Sequence, residues 1–278
     1  MTKKEKYAEY GIEYRASDSK INSPMGWIPL LLPVGSNEKL GKAASWSIWH
    51  GCEFLDLSKC GKKVNAVMET AGLETIKGSC PCHCKDCYCD NGNYNFDSVQ
   101  AGNVLKLIIA RYHSDFMTKA IIAQIHIEKI DQCRIHASGD FFSAEYVNAW
   151  LEIAKACDGC KFWTYTKESA ALAAFENVDN VSIVPSITPF GLNFGTCAEL
   201  LEVYHKLIAS GANVHICGCN TPYENKGKCY GCTCGCKAIG KGTDFVLFIK
   251  HSCKDYKAGV NDPIEYAKVL SIIASQNN

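Results

Sequence analysis

The chain has 278 residues, with 29 lysines and arginines against 29 aspartates and glutamates, so no global field draws it to nucleic acid or to an anionic membrane. Its apolar content of 47% supplies a core for one large α/β domain or two small ones. No apolar run is long enough to span a membrane, the longest (27–34) being broken by Pro29 and Pro33, and the start Met1-Thr2-Lys3-Lys4 lacks the apolar stretch of a secretory signal; the chain reads as a soluble cytoplasmic protein.

Residues 1–44 are charged and then turn-rich, and read as an N-terminal arm that packs on a main domain of residues 45–278. Ser45-Trp46-Ser47-Ile48-Trp49-His50 alternates and is aromatic, the pattern of a first strand. A turn-rich insertion with Cys52, Cys60 and several lysines leads into a cysteine-rich loop at 80–89. Helical periodicity follows over 98–112, capped by Asp97 or Ser98, and over 114–130, capped by Ser114. Strands are expected at 133–138, 161–166, 181–185, 213–217 and 244–249. Helices are expected at 143–157 (capped by Ser143), 168–175, 197–210 (stopped at Gly211) and 263–275. Strands alternating with helices argue for a parallel sheet with crossover connections. Six β/α units fit a partial barrel at least as well as an open doubly wound sheet, and in either design the working groups lie beyond the C-terminal strand ends. Ser138, Gly139, Asp140, Lys167, Ser186 and Cys217 fall at such ends.

Eighteen cysteines dominate the composition, and eleven of them crowd into 80–89 and 217–236, which favours metal or cluster ligation over long-range cross-links. So many thiols suit an anaerobic host. The other seven, Cys52, Cys60, Cys133, Cys157, Cys160, Cys197 and Cys253, are expected to be small buried residues. In the first run Cys80, Cys84 and Cys87 are spaced C-x3-C-x2-C. Three thiolates on one loop can hold three irons of a [4Fe–4S] cube and leave the fourth iron open. Zinc is the rival, with His83, Cys82, Cys89 or distant cysteines completing a set of four. The second run offers Cys217, Cys219, Cys229, Cys232, Cys234 and Cys236 within twenty residues, enough for an auxiliary cluster or a zinc ion over 217–242. Cys219, Cys229, Cys232 and Cys236 are the candidate ligands there. Arg134, His136 and Ser138 share one face of the second expected strand, and Tyr165 and Lys167 one face of the third; His136, Tyr165 and Lys167 are candidates to move protons or touch substrate. The alternative for His136 is a hydrogen-bonded core histidine. Cys157 and Cys160 have redox-type spacing but close a helix instead of opening one, so they read as structural.

The run Arg134-Ile135-His136-Ala137-Ser138-Gly139-Asp140-Phe141-Phe142-Ser143, with Glu145 and Trp150, then Lys161 to Lys167 and Asn180 to Ser186, resembles the phage gene-product-88-like proteins, carried by phages and other mobile elements and similar to remote relatives of radical S-adenosylmethionine enzymes. Cys84, Cys87 and Tyr88 match that family's Cys-x-x-Cys-Tyr loop end, and Cys217 or Cys219, Cys229 and Cys232 its later paired cysteines. The resemblance implies a partial (β/α)6 barrel with a C-terminal cysteine-rich cluster-binding insertion. It implies that Cys80, Cys84 and Cys87 hold a catalytic [4Fe–4S] cluster, with S-adenosylmethionine on the open iron. Its amino end would be held by Asp140 with Ser138 and Gly139, and Ser186 is a further cofactor contact. An electron donor such as ferredoxin or flavodoxin is the implied partner. A non-catalytic iron–sulfur or zinc protein serving electron transfer, redox sensing or nucleic-acid or host-protein binding is the alternative.

Overall fold

The computed structural model describes residues 1–35, 41–81, 87–90, 92–185, 193–194, 196–217, 245–249 and 263–276. The chain divides into two compact units, Met1–Val34 with Ala43–Val181, and Gly35–Lys42 with Ser182–Asn278.

The first unit is organised on a four-stranded sheet of β4 (Ala44–Ser45), β5 (Gln132–Arg134), β6 (Lys161–Thr166) and β7 (Val181–Pro185), in that order, with the unit boundary falling inside β7. Pairing is parallel, with Ala44 opposite Cys133 and Cys133 opposite Phe162. The ladder runs on past the regular strands: Trp46 N donates to Arg134 O, Ala137 N to Trp46 O and Ile48 N to Ser138 O. The aromatic stretch 45–50 therefore lies along β5 as its alternation predicts, although only its first residue is a regular strand residue. Parallel neighbours need crossovers. These are α5 (Ala144–Ala156) between β5 and β6, α6 (Ser169–Phe175) between β6 and β7, and a long excursion between β4 and β5. Ser143 caps α5 as expected, accepting from Tyr146 N at 3.2 Å. The interior beside the sheet is aromatic: Trp46 and Trp150 meet edge to face at 5.9 Å, and Trp150 meets Phe162 at 6.3 Å.

The excursion holds α2 (Lys62–Thr70), α3 (Asp97–Tyr112) and α4 (Ser114–Glu128). Only the last two are predicted from the sequence, and their caps differ from the expectation. Neither Asp97 nor Ser98 caps α3; its N-cap is Phe96, with no side-chain bond. Asp97 instead accepts from Lys63 N at 3.0 Å and Val64 N at 3.3 Å, and so caps α2 from across the fold. Gly61 makes room for this carboxylate, since a Cβ there would lie 2.2 Å from Asp97 Cγ. Ser114 is likewise the first helical residue of α4, whose N-cap is His113.

The expected arm is also more ordered than its composition suggests. α1 (Lys3–Glu9) opens on a Thr2/Glu5 capping box, and β1 (Tyr14–Arg15), β2 (Lys20–Ser23) and β3 (Gly26–Pro29) form an antiparallel sheet. Strands this short carry too few alternations to be seen as a period. The segment docks on α4: Lys3 pairs with Glu128 at 2.8 Å, Tyr10 is bonded to His126 at 2.8 Å, and Leu32 exchanges two hydrogen bonds with the buried Gln124 amide, at 3.0 and 2.6 Å.

The second unit holds β8 (Asn193–Phe194), β9 (Val214–Ile216) and β10 (Phe245–Ile249), with α7 (Cys197–Ala209) and α8 (Pro263–Gln276). β10 lies between β8 and β9 and is parallel to both. Thr196 and Glu199 form a capping box on α7. Gln276 at the end of α8 bonds both Ile216 N and Val214 O, tying that helix to β9. All six expected strands are thus present, four in one parallel sheet and two in the second unit with the short β8.

Candidate functional site

A cleft of about 360 Å³ opens beyond the C-terminal ends of β4 and β5. Its walls include Trp49, His50, Leu55, Cys52, Cys60, Cys80, Cys87 and Asp90. Two features of the backbone build it. Gly78 packs so tightly that a Cβ there would lie 2.2 Å from Gly51 O. Gly139 has φ +85°, and a Cβ would meet Ile48 Cγ1 at 2.4 Å and Ser79 Oγ at 2.6 Å. With both positions bare, the approach to Cys80 lies directly against the two strand ends: Ser79 N donates to Trp49 O and Cys80 N to Gly51 O. Ser79 Oγ completes the seat, donating to Trp49 O at 2.7 Å and accepting from Asp140 N at 3.2 Å.

Asp140 braces this edge. Its carboxylate accepts from Phe141 N at 2.8 Å, Thr166 Oγ1 at 2.5 Å and Lys167 N at 3.0 Å, so it links the end of β5 to the end of β6. Burial raises its pKa, and those three donors and the Lys167 ammonium oppose the rise. Ser138 is interior as well, donating to Ile48 O at 2.8 Å and accepting from Asn103 Nδ2 at 3.3 Å. The side chains expected to grip a ligand therefore hold the strand ends together, and none of them is a cleft wall.

Cys80 and Cys87 share the cleft. Burial, with help from Asp140 and Cys87, pushes the Cys80 thiol up to about 12, while the Gly51 backbone bond and Lys167 pull it down. A metal bound there displaces a proton from sulfur. Close by, Tyr94 donates to Ala137 O at 2.9 Å, and Arg134 stacks over the Tyr165 ring at 5.3 Å.

His136 sits elsewhere. Its ring is 2% exposed, packed edge-on against Phe141 at 4.5 Å, with Nε2 bonded to the Tyr146 hydroxyl at 2.9 Å. That hydroxyl also accepts from Trp46 Nε1 at 2.7 Å. Burial first, and then the Arg134 charge, lowers the imidazole pKa to about 3. It is a neutral core histidine, the alternative weighed from the sequence, and it is absent from the cleft walls. Cys84, Ser186, Cys219, Cys229, Cys232 and Cys236 lie outside the described residues.

Sequence reasoning missed the potential metal ligands Cys52, Cys60, His50 and Asp90 on the cleft wall. Cys52 and Cys60 are half-buried on its wall instead of being core residues. His50 and Asp90 lie beside Cys87, with His50 Nε2 at 2.9 Å from Asp90 Oδ1. The signal for Asp90 was its place three residues after Cys87, the interval common between paired metal ligands; His50 carried none beyond ending a strand. By contrast Cys133, Cys157 and Cys160 are buried as expected, and Asn180 Nδ2 donates to the carbonyls of Ala154, Cys157 and Cys160, pinning the turn that carries two of them. Among the described residues no helix is long and apolar enough to cross a membrane.

No curated protein and no solved structure matches the chain. The sequence model of one family does match, over residues 34–190, which takes in the β4–β7 sheet, the cleft and the first cysteine run and ends before the second. That stretch is more than half of the chain, and the protein belongs to the gene product 88 family.

Proposed function

We propose that this protein is an iron–sulfur enzyme of the radical S-adenosylmethionine type, with its centre in the cleft beyond β4 and β5. The observation that carries the reading is that Cys80 and Cys87, seven residues apart in a C-x3-C-x2-C run, line one cleft at the C-terminal edge of a parallel sheet. Soft thiolates in that place suit an iron–sulfur cluster. Cys80, Cys84 and Cys87 would hold it, and Cys219, Cys229, Cys232 and Cys236 an auxiliary one. The chemistry such a cluster supplies is one-electron reductive cleavage of S-adenosylmethionine, yielding methionine and a 5′-deoxyadenosyl radical.

The rest follows from the chain's own groups. Ser79 and the Asp140 backbone fix the loop before Cys80 against the strand ends, which Ser138 ties together, so the first thiolate is positioned before anything binds. The Lys167 ammonium favours the anionic form of Cys80. Trp49 and Leu55 supply apolar walls that limit water. In this reading the strands β4, β5, β6, β7, β9 and β10 would belong to a partial barrel; Tyr165 and Lys167, at the end of β6, and Ser186, by its place in the sequence, would meet substrate or cofactor.

The test is anaerobic reconstitution with iron and sulfide, followed by metal and sulfide analysis and by electron paramagnetic resonance of the reduced protein with and without S-adenosylmethionine. A cluster lost on Cys80→Ser, Cys84→Ser or Cys87→Ser but kept on Cys82→Ser and Cys89→Ser, with a spectrum shifted by S-adenosylmethionine, is expected. A cluster whose spectrum ignores S-adenosylmethionine overturns the enzymatic assignment.

A further inference from the structure

His50, Cys87 and Asp90 belong to two segments far apart in sequence, yet each offers a donor atom within 4.8 Å of the other two. All three line the cleft. His50 is 9% exposed, and its Nδ1 is buried with no hydrogen-bond partner among the described residues, so the imidazole's polar contacts are incomplete as it stands. The C-x3-C-x2-C run needs neither His50 nor Asp90. An imidazole and a carboxylate converging beside the Cys87 thiolate are therefore left unexplained by the cluster.

We propose that His50, Cys87 and Asp90 form a binding site for a single divalent ion of the zinc class. The donor set is mixed and borderline: one sulfur, one nitrogen and one oxygen suit zinc or cobalt(II) better than magnesium or calcium, which take oxygen donors alone. Three protein ligands are one short of the four that close a structural zinc site. Because all three line the cleft of about 360 Å³, a fourth position would be open to a water or a substrate atom, as in catalytic zinc sites. Cys80 lines the same cleft but falls outside the group of mutually close donors. Cys87 is common to this site and to the proposed cluster, so the two occupants exclude each other, and the cleft holds either one.

The test uses the full chain, prepared without oxygen and freed of metal, titrated with zinc and freed of loosely bound ion before metal analysis. Because the second cysteine run also has thiols, the readout is the difference between variants. His50→Ala, Asp90→Ala and Cys87→Ser should each lower the retained zinc by one ion per chain, whereas Cys84→Ser should retain it. Full zinc retention in His50→Ala and Asp90→Ala, or loss in Cys84→Ser equal to that in Cys87→Ser, overturns the proposal. Cadmium-113 resonance of the wild-type chain needs no variant: a signal from mixed nitrogen, oxygen and single-sulfur ligation is expected, and all-sulfur signals alone refute it. The cluster reading depends on Cys84 and not on His50 or Asp90, so the same variants show which of the two has failed.

Discussion

Replacing Gly139 by alanine tests whether the cleft is built by close backbone approach. The residue has φ +85°, a conformation that costs a side-chain-bearing residue about 1–2 kcal/mol. In addition, the new Cβ would stand 2.4 Å from Ile48 Cγ1 and 2.6 Å from Ser79 Oγ, far inside ordinary contact. Forcing one extra carbon into a packed site costs roughly 1–3 kcal/mol more. Gly139→Ala should therefore destabilise the protein by about 2–5 kcal/mol. Gly72 separates the two contributions. It too has a positive φ, +66°, but nothing lies within 4 Å of where its Cβ would be, so Gly72→Ala carries the conformational cost alone. Urea unfolding of both variants, followed by tryptophan fluorescence, gives the difference directly. If Gly139→Ala costs no more than Gly72→Ala, the argument that Ile48 and Ser79 close on this position is wrong.

Tyr146→Phe removes the hydroxyl shared by Trp46 Nε1 and His136 Nε2 and leaves two buried polar atoms unmatched; a loss of roughly 2–4 kcal/mol is expected in the same unfolding assay. Asp97→Ala should cost about 1 kcal/mol through α2, and hydrogen exchange should show the loss at the first turn of that helix and not at α3. His136 titrates near 3 in the folded protein against an ordinary 6.5, so between those values the unfolded chain binds the extra proton and stability rises with pH. The slope is about 1.4 kcal/mol per pH unit over that window, flat above it. His136→Asn, which tolerates the residue's positive φ of 59°, should remove that share of the slope when stability is measured from pH 4 to 7; an unchanged slope refutes the assignment of a neutral buried ring.

The long helices and the alternation of strands with helices are legible in the sequence because each is periodic over many residues. What escaped was set by contacts distant in the chain. α2 is capped by a carboxylate thirty-odd residues downstream, and local rules assign that carboxylate to the nearer helix. β1 to β3 are too short for their alternation to stand out. The strand-end rule picks out Ser138, Gly139, Asp140 and Lys167, none of which is a cleft wall, and the cysteine spacing picks out Cys80 and Cys87, which are. It did not find that Ser138 and Asp140 bind the fold to itself, because a buried brace and a ligand-gripping carboxylate have the same one-dimensional signature. Nor did it find His50 and Asp90, whose proximity to Cys87 exists only once the backbone of Ser79 and Cys80 seats on Trp49 and Gly51.

Gln124, His126 and Glu128 lie two apart along the end of α4, and each receives a partner from the first thirty-two residues. Translation started at the internal Met25 would delete α1, β1 and β2, taking Tyr7 and Tyr14, which stack at 4.8 Å, out of the interior. Leu32 would still be present, but it would have to reach Gln124 from an untethered chain end. Trimming this leading segment to shorten an expression clone would therefore strip its cover from the end of α4.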